Sequence, residues 1–228
     1  MCWNKEVSFS SFLLISVISY GLYIRNLPND RMMAIFIMIY GSMQLIETII
    51  WIGLEYNNIN INKLGTILVA VLLYLHPLGL ILGINYDTFY SKVIKGKLYK
   101  IFFIITTLLF ISGLIHIVYS VINKKNKFIS HIKSSSSHIV WDKPKYLYIQ
   151  YNIGVLLVFL SIIVFVYPKN KPFGIFLLLY FIITGIYSLT VSSKESTYSI
   201  FGSYWCWVVS IWAFLIYAIN PLLQNYNN

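Results

Sequence analysis

Residues 32–53, MMAIFIMIYGSMQLIETIIWIG, run for 22 positions with one charged side chain, Glu47. A helix on the surface of a soluble domain alternates an apolar stripe with a polar face, and this segment has almost no polar face to offer water. At 1.5 Å per residue, about 20 apolar residues match a hydrocarbon layer about 30 Å thick, so the segment reads as a membrane-spanning helix.

Similar runs recur at 7–24, 65–86, 101–121, 147–168, 173–192 and 203–220, which with 32–53 makes seven. They are continuous rather than alternating, so they predict helices and not the strands of a barrel. Composition agrees: 58% of residues are hydrophobic and 11% charged, against about 25% charged in soluble domains, and mean hydropathy is +0.74. The expected fold is all-α, a single domain over 1–228 formed by a bundle of seven transmembrane helices. The first run lacks a small-x-small cleavage site and Arg25 follows it directly, so it reads as a span and not as a signal peptide.

Connections are short except 122–146, INKKNKFISHIKSSSSHIVWDKPKY, a basic loop with six lysines and four consecutive serines. The net charge of +10 is scattered over several loops. It forms no stripe or motif of the kind that grips nucleic acid, and anionic headgroups account for it. An odd number of crossings puts the termini on opposite sides. One side carries Arg25, Arg31, Lys92, Lys95, Lys97, Lys100, Lys169 and Lys171; with the long loop set aside the other keeps only Lys5, Lys63 and Lys194. The positive-inside rule then favours an outside N-terminus and a cytoplasmic C-terminus.

Parity also says which residues share a face. Cys2, the lower ends of spans two and four with Glu47, Trp51 and His116, the long loop with His138 and Trp141, and the start of span seven with Trp205 and Cys206 all fall on the N-terminal face. At helical rise Glu47 lies about 9 Å and His116 about 7 Å below it. A carboxylate within a span costs about 2.5–3.5 kcal/mol to insert and turns toward the bundle interior or a wet cavity. Tyr40, Gln44, Glu47 and Trp51 make one stripe on their helix, and Ser112, His116 and Tyr119 a similar stripe on span four. No Lys or Arg lies within a span, so Glu47 is read either as a buried acid bonding helix to helix or as a group that binds a ligand, ion or proton. His76, just before Pro77, is an interhelical hydrogen-bonder or a member of a proton relay toward Glu47. Cys2 and Cys206 share a face. A disulfide between them or simple packing is the first reading, and no closely spaced ligand pair supports a metal site.

Several stretches carry a resemblance: MCWNKEVS at 1–8, RNLPNDR at 25–31, MQLIETIIW at 43–51, SHIVW at 137–141 and GSYWCW at 202–207. Together, in order along nearly the whole chain, they resemble an uncharacterised family of seven-span membrane proteins of giant DNA viruses and some algae and protists. Members commonly begin Met-Cys-Trp-Ser, where this chain has Asn4 in place of the serine. The resemblance implies a seven-span architecture and a viral or host membrane, and supplies no chemistry.

Microbial rhodopsin requires a lysine within the seventh span; the nearest, Lys194, precedes it. A membrane-embedded zinc hydrolase needs several histidines and an acid at one face, which Glu47, His116 and His138 imitate loosely. The expected function is a transporter, channel or ligand-sensing protein. Its polar pocket near the N-terminal face is lined by Glu47, Gln44, His116, Tyr119 and Trp51 and roofed by Trp141 and Trp205. The alternative is a structural membrane component, and the third reading the metal-dependent hydrolase. Expected partners are a bilayer with anionic headgroups and a small ligand or ion, with no nucleic acid and no cofactor; the residues set no oligomeric state.

Overall fold

The computed structural model describes residues 4–123, 128–132, 139–142, 145–194 and 200–224. Among these, seven helices follow one another: α1 (Lys5–Arg25), α2 (Asp30–Glu55), α3 (Ile59–Tyr86), α4 (Lys97–Ile122), α5 (Lys145–Ser161), α6 (Lys171–Lys194) and α7 (Ile200–Gln224). Each overlaps one of the seven apolar runs. Four of them, α1 to α4, are long and apolar enough to cross a membrane. The apolar stretches of the other three are shorter, Asn152–Val166, Lys171–Ile183 and Ser210–Leu223. α5 leads into a π-helical stretch, Ile162–Val166.

The fold is all-α apart from one short hairpin that the sequence did not predict. The long basic loop contains an antiparallel hairpin, β1 (Ile129–Ile132) and β2 (Ile139–Asp142), with Ser130 opposite Trp141 and His131 opposite Val140. β-branched and aromatic residues flank the lysine and serine segment and suit extended backbone, and contacts with the bundle hold the pair in place, with Ser130 of β1 and Ile139 of β2 both buried. Ile139 joins Met43, Ile50, Trp51 and Val69, while Phe128, just ahead of β1, joins Ala70, Tyr74 and Ile117.

The helix ends are set by side chains that satisfy orphan backbone groups. Asn4 accepts from the Val7 N–H at 2.8 Å, and Asn58 from the Asn60 and Ile61 N–H groups. The turn between α1 and α2 uses two left-handed asparagines, Asn26 and Asn29, a conformation that asparagine tolerates better than most residues.

α2 packs most extensively against α3 and then against α1. Small residues allow the approach: a Cβ on Gly83 would stand 2.6 Å from the Met32 carbonyl oxygen, and one on Gly53 would stand 2.5 Å from the Asn62 nitrogen. This is how helices associate where burial from water does not drive them together. The largest core cluster takes residues from all seven helices, α5 through Val158, together with the π-helical stretch; within it Trp212 meets Phe36 and Phe181 edge-on and stacks on Tyr180 at 4.5 Å. The outer surface is the reverse of a soluble protein's. Leu13, Leu14 and Val17 of α1 and Ile104, Leu108, Ile115 and Val118 of α4 are all exposed. Contiguous apolar surface on this scale suits acyl chains rather than water, which points to a membrane-associated chain.

Candidate functional site

The stripe on α2 faces inward. Tyr40, Gln44, Glu47 and Trp51 are all buried, and Glu47 has no exposed surface. Its burial follows from position: α2 is enclosed by α1, α3 and α7. One turn above Gln44, Tyr40 stacks face to face on His76 of α3, with ring centroids 3.8 Å apart and planes 13° from parallel. His76 is 4% exposed. Both of its ring nitrogens are buried and, among the described residues, neither makes a hydrogen bond. Pro77 follows it inside the helix and deprives the Leu73 carbonyl of its intrahelical donor. α5 sits close by, since a Cβ on Gly154 would come within 2.9 Å of the Pro77 ring. The interior strip therefore brings together a phenol, an amide, a carboxyl, an indole and an imidazole over about 16 Å of α2, measured from Tyr40 to Trp51 at helical rise.

The other residues proposed for this pocket are placed differently. His116 carries an exposed side chain, and Tyr119 is 57% exposed. The buried face of α4 runs through Gly113, Ile117 and Ser120, because Gly113 lies against the Tyr74 ring at a distance where a Cβ would approach to 2.5 Å. His116 and Tyr119 each stand one residue back from that face, about 100° around the helix. Ser112 is half-buried and donates to the Leu109 carbonyl at 3.0 Å. Cys2 and His138 lie outside the described residues. The backbones of Trp141, Trp205 and Cys206 belong to β2 and α7, and their side chains lie outside the described residues. Among the described residues no group of three His, Cys, Asp or Glu side chains is placed to hold a metal ion.

The hairpin is bonded to α3 near the end where the strip reaches Trp51. The Asn62 side chain donates to the Ser130 carbonyl at 2.8 Å and accepts from the Ser130 N–H at 2.7 Å, and the Thr66 and Ser130 hydroxyls meet at 2.7 Å. Asn62 thus takes the place of a third strand along the outer edge of β1.

At the opposite end lies a polar joint that sequence reasoning missed. Asp30, fully buried, takes two bonds from the Arg25 guanidinium, at 2.7 and 2.8 Å, one from Asn220 of α7 at 2.7 Å and one from the Leu27 N–H at 3.0 Å. Arg25 also donates to the Tyr217 carbonyl at 2.6 Å and lies over the Tyr217 ring. Beside this joint the Tyr90 hydroxyl donates to Asn29 at 2.5 Å, and Asp87 accepts from Met32 N–H at 3.1 Å and Phe89 N–H at 2.9 Å. Burial pushes the Asp87 carboxyl above its ordinary 3.8, against the pull of those two N–H groups, and pushes the Tyr90 phenol upward as well. The signal was present in the stretch RNLPNDR, whose Asn, Pro and Asp spell a tight turn with an acid five residues from an arginine; its connection to Asn220 is 190 residues distant in the chain.

No protein-family model, curated protein or solved structure matches this chain.

Proposed function

We propose that the chain is a multi-pass membrane protein of seven crossings, a transporter, channel or ligand-sensing protein that handles a proton or a small polar ligand along its interior strip. The observation that carries this reading is Glu47, wholly buried between apolar helices on the same strip as His76. An acid and an imidazole buried inside membrane spans are costly to keep there, and chains that carry them commonly use them to bind or pass charge. The pocket comprises Tyr40, Gln44, Glu47, Trp51 and His76. The three shorter apolar helices cross the bilayer by packing on the first four, with the N-terminus outside and the C-terminus cytoplasmic. The resemblance to seven-span viral and protist proteins belongs to this same reading and suggests a host or virion membrane.

The test is reconstitution into liposomes loaded with a pH-reporting dye. Wild-type protein carries protons or a small cation under an imposed potential, and Glu47→Gln loses most of that flux while retaining helical content. Flux left unchanged by Glu47→Gln refutes the proposal.

A second reading has its own observation. The buried polar groups at both ends of the bundle, Asn62 with Ser130 and Asp30 with Arg25 and Asn220, act as joints between elements. If the interior strip is one more joint, the protein is a structural membrane component, and Glu47→Gln lowers folded yield with no transport phenotype. The metal-dependent hydrolase is the third reading, and stoichiometric zinc in the purified protein is the result it requires.

A further inference from the structure

Between α1 and α2 an open groove of about 420 Å³ is lined by Ser16, Ser19, Tyr20, Tyr23, Ala34, Ile35, Met38 and Ile39. It begins at mid-helix and runs about 10 Å along α1 toward the end where the chain turns from Arg25 to Asp30. Its size falls within the range of small-molecule sites. The surface is almost wholly apolar, with two tyrosines in its lining and a cation next to one of them, just outside the groove. Tyr20 and Tyr23 are exposed. The Arg31 guanidinium lies over the Tyr23 ring, 5.3 Å from its centre. The Arg31 Nε is buried and, among the described residues, makes no hydrogen bond.

The contrast with Arg25 is informative. Arg25 is held by both Asp30 oxygens and a carbonyl, whereas Arg31 forms no ion pair among the described residues and acts on the Asp87 carboxylate through its charge alone. A half-buried guanidinium with no ion pair among the described residues, standing beside the Tyr23 end of an apolar groove, is complementary to a phosphate ester whose acyl chain lies in the groove. Ser19 adds to the groove wall a buried hydroxyl that makes no hydrogen bond among the described residues.

We propose that this groove is a binding site for one anionic phospholipid of the surrounding leaflet, its phosphate on Arg31 and one acyl chain lying between Ser16 of α1 and Ile39 of α2. The proposal requires that α1 and α2 cross a bilayer and is independent of any activity of the interior strip. Specificity rests on charge at one end and shape along the rest. A zwitterionic lipid fills the same groove but gains less at Arg31, and one cationic side chain near a bilayer surface sets the preference for the anionic lipid at about fivefold.

The test uses the full chain in nanodiscs with phosphatidylglycerol carrying a photoreactive group on its acyl chain. Crosslinks mapped by mass spectrometry concentrate on residues 16–39 and are displaced by unlabelled phosphatidylglycerol about fivefold more effectively than by phosphatidylcholine. Arg31→Gln removes that difference and keeps the crosslinks; Ile35→Trp, which fills the groove, removes the crosslinks. Crosslinks spread evenly over the outer helices, or equal displacement by the two lipids in the wild-type protein, overturn the proposal. Because both of these outcomes are read on wild-type protein, a variant that fails to fold does not shield it.

Discussion

Replacing Asn62 by alanine isolates the contact that seats the hairpin on the bundle. Asn62 and Ser130 are both buried, and the Asn62 amide satisfies the N–H and the carbonyl of Ser130 at 2.7 and 2.8 Å. The β1–β2 ladder cannot take over those groups, because they lie on the edge of β1 turned away from β2. Each buried backbone group left without a partner costs about 1–3 kcal/mol, so two cost about 2–6, and lifting of the hairpin to let water in trims this to about 2–4. At about 1.4 kcal/mol per decade, an opening easier by that amount speeds hydrogen exchange at the Ser130 amide about 30- to 700-fold. The assay is hydrogen exchange by mass spectrometry on protein in nanodiscs, comparing a peptide covering Ser130 with peptides from α2 and α3. The acceleration is confined to the hairpin, since its apolar anchors Phe128 and Ile139 and the Thr66 hydroxyl bond hold it near the bundle. Asn62→Asp keeps the acceptor for the Ser130 N–H and loses the donor to its carbonyl, so it produces the smaller effect. Exchange at Ser130 changed by less than about threefold, or an equal rise throughout α2 and α3, refutes the reasoning.

Asp30→Asn removes the carboxylate that holds Arg25 and lowers stability by about 3–5 kcal/mol, read as a fall in thermal midpoint in detergent; a midpoint within error of wild type contradicts a working buried pair. Gly83→Leu drives a side chain into the Met32 carbonyl, where even a Cβ would sit at 2.6 Å, and destabilises the α2–α3 pair by about 1–3 kcal/mol, visible as loss of monodisperse folded protein. Asp87 supplies a pH dependence with a definite sign. Its folded pKa is raised above 3.8 by burial, so its contribution favours the folded state below that value and is lost as pH rises through the raised one. As pH rises above 3.8 the thermal midpoint of wild type therefore carries a downward component that Asp87→Asn lacks, and identical profiles for the two proteins count against it.

The positions of the seven helices were legible in the sequence because each apolar run is closed by asparagine, proline or a charge, residues that cap or break a helix for reasons confined to a few neighbours. The hairpin was not. Its strands are four residues each, too short to show a period of two, and what makes them strands is distant, Asn62 on the edge of β1 and the α2 and α3 side chains around Ile139. The inward stripe of α2 was readable from spacing alone, since a carboxyl in an apolar helix has one side to turn to. On α4 the same reasoning failed to decide azimuth. Depth follows from counting residues, but which face is buried follows from Gly113 seating on Tyr74, a contact between helices that no count of positions on α4 contains.

Those distinctions bear on where activity resides. In the joint of Arg25, Asp30 and Asn220, and in the dock of Asn62, Thr66 and Ser130, bonds at 2.6–3.0 Å connect donor to acceptor across elements. Such closed networks rigidify a fold and leave little capacity for a further ligand. His76 is built otherwise. It contributes a stacked face to Tyr40 but, among the described residues, no hydrogen bond from either nitrogen, and an imidazole desolvated without a partner is an expense that packing alone does not require, since a phenylalanine would stack there as well. If the ring is there only to pack, His76→Phe keeps both fold and flux. If it serves the interior strip, that variant folds as wild type and loses flux together with Glu47→Gln, the double variant being no worse than either single one. Unchanged flux in His76→Phe removes the imidazole from the strip and leaves Glu47 to act without it.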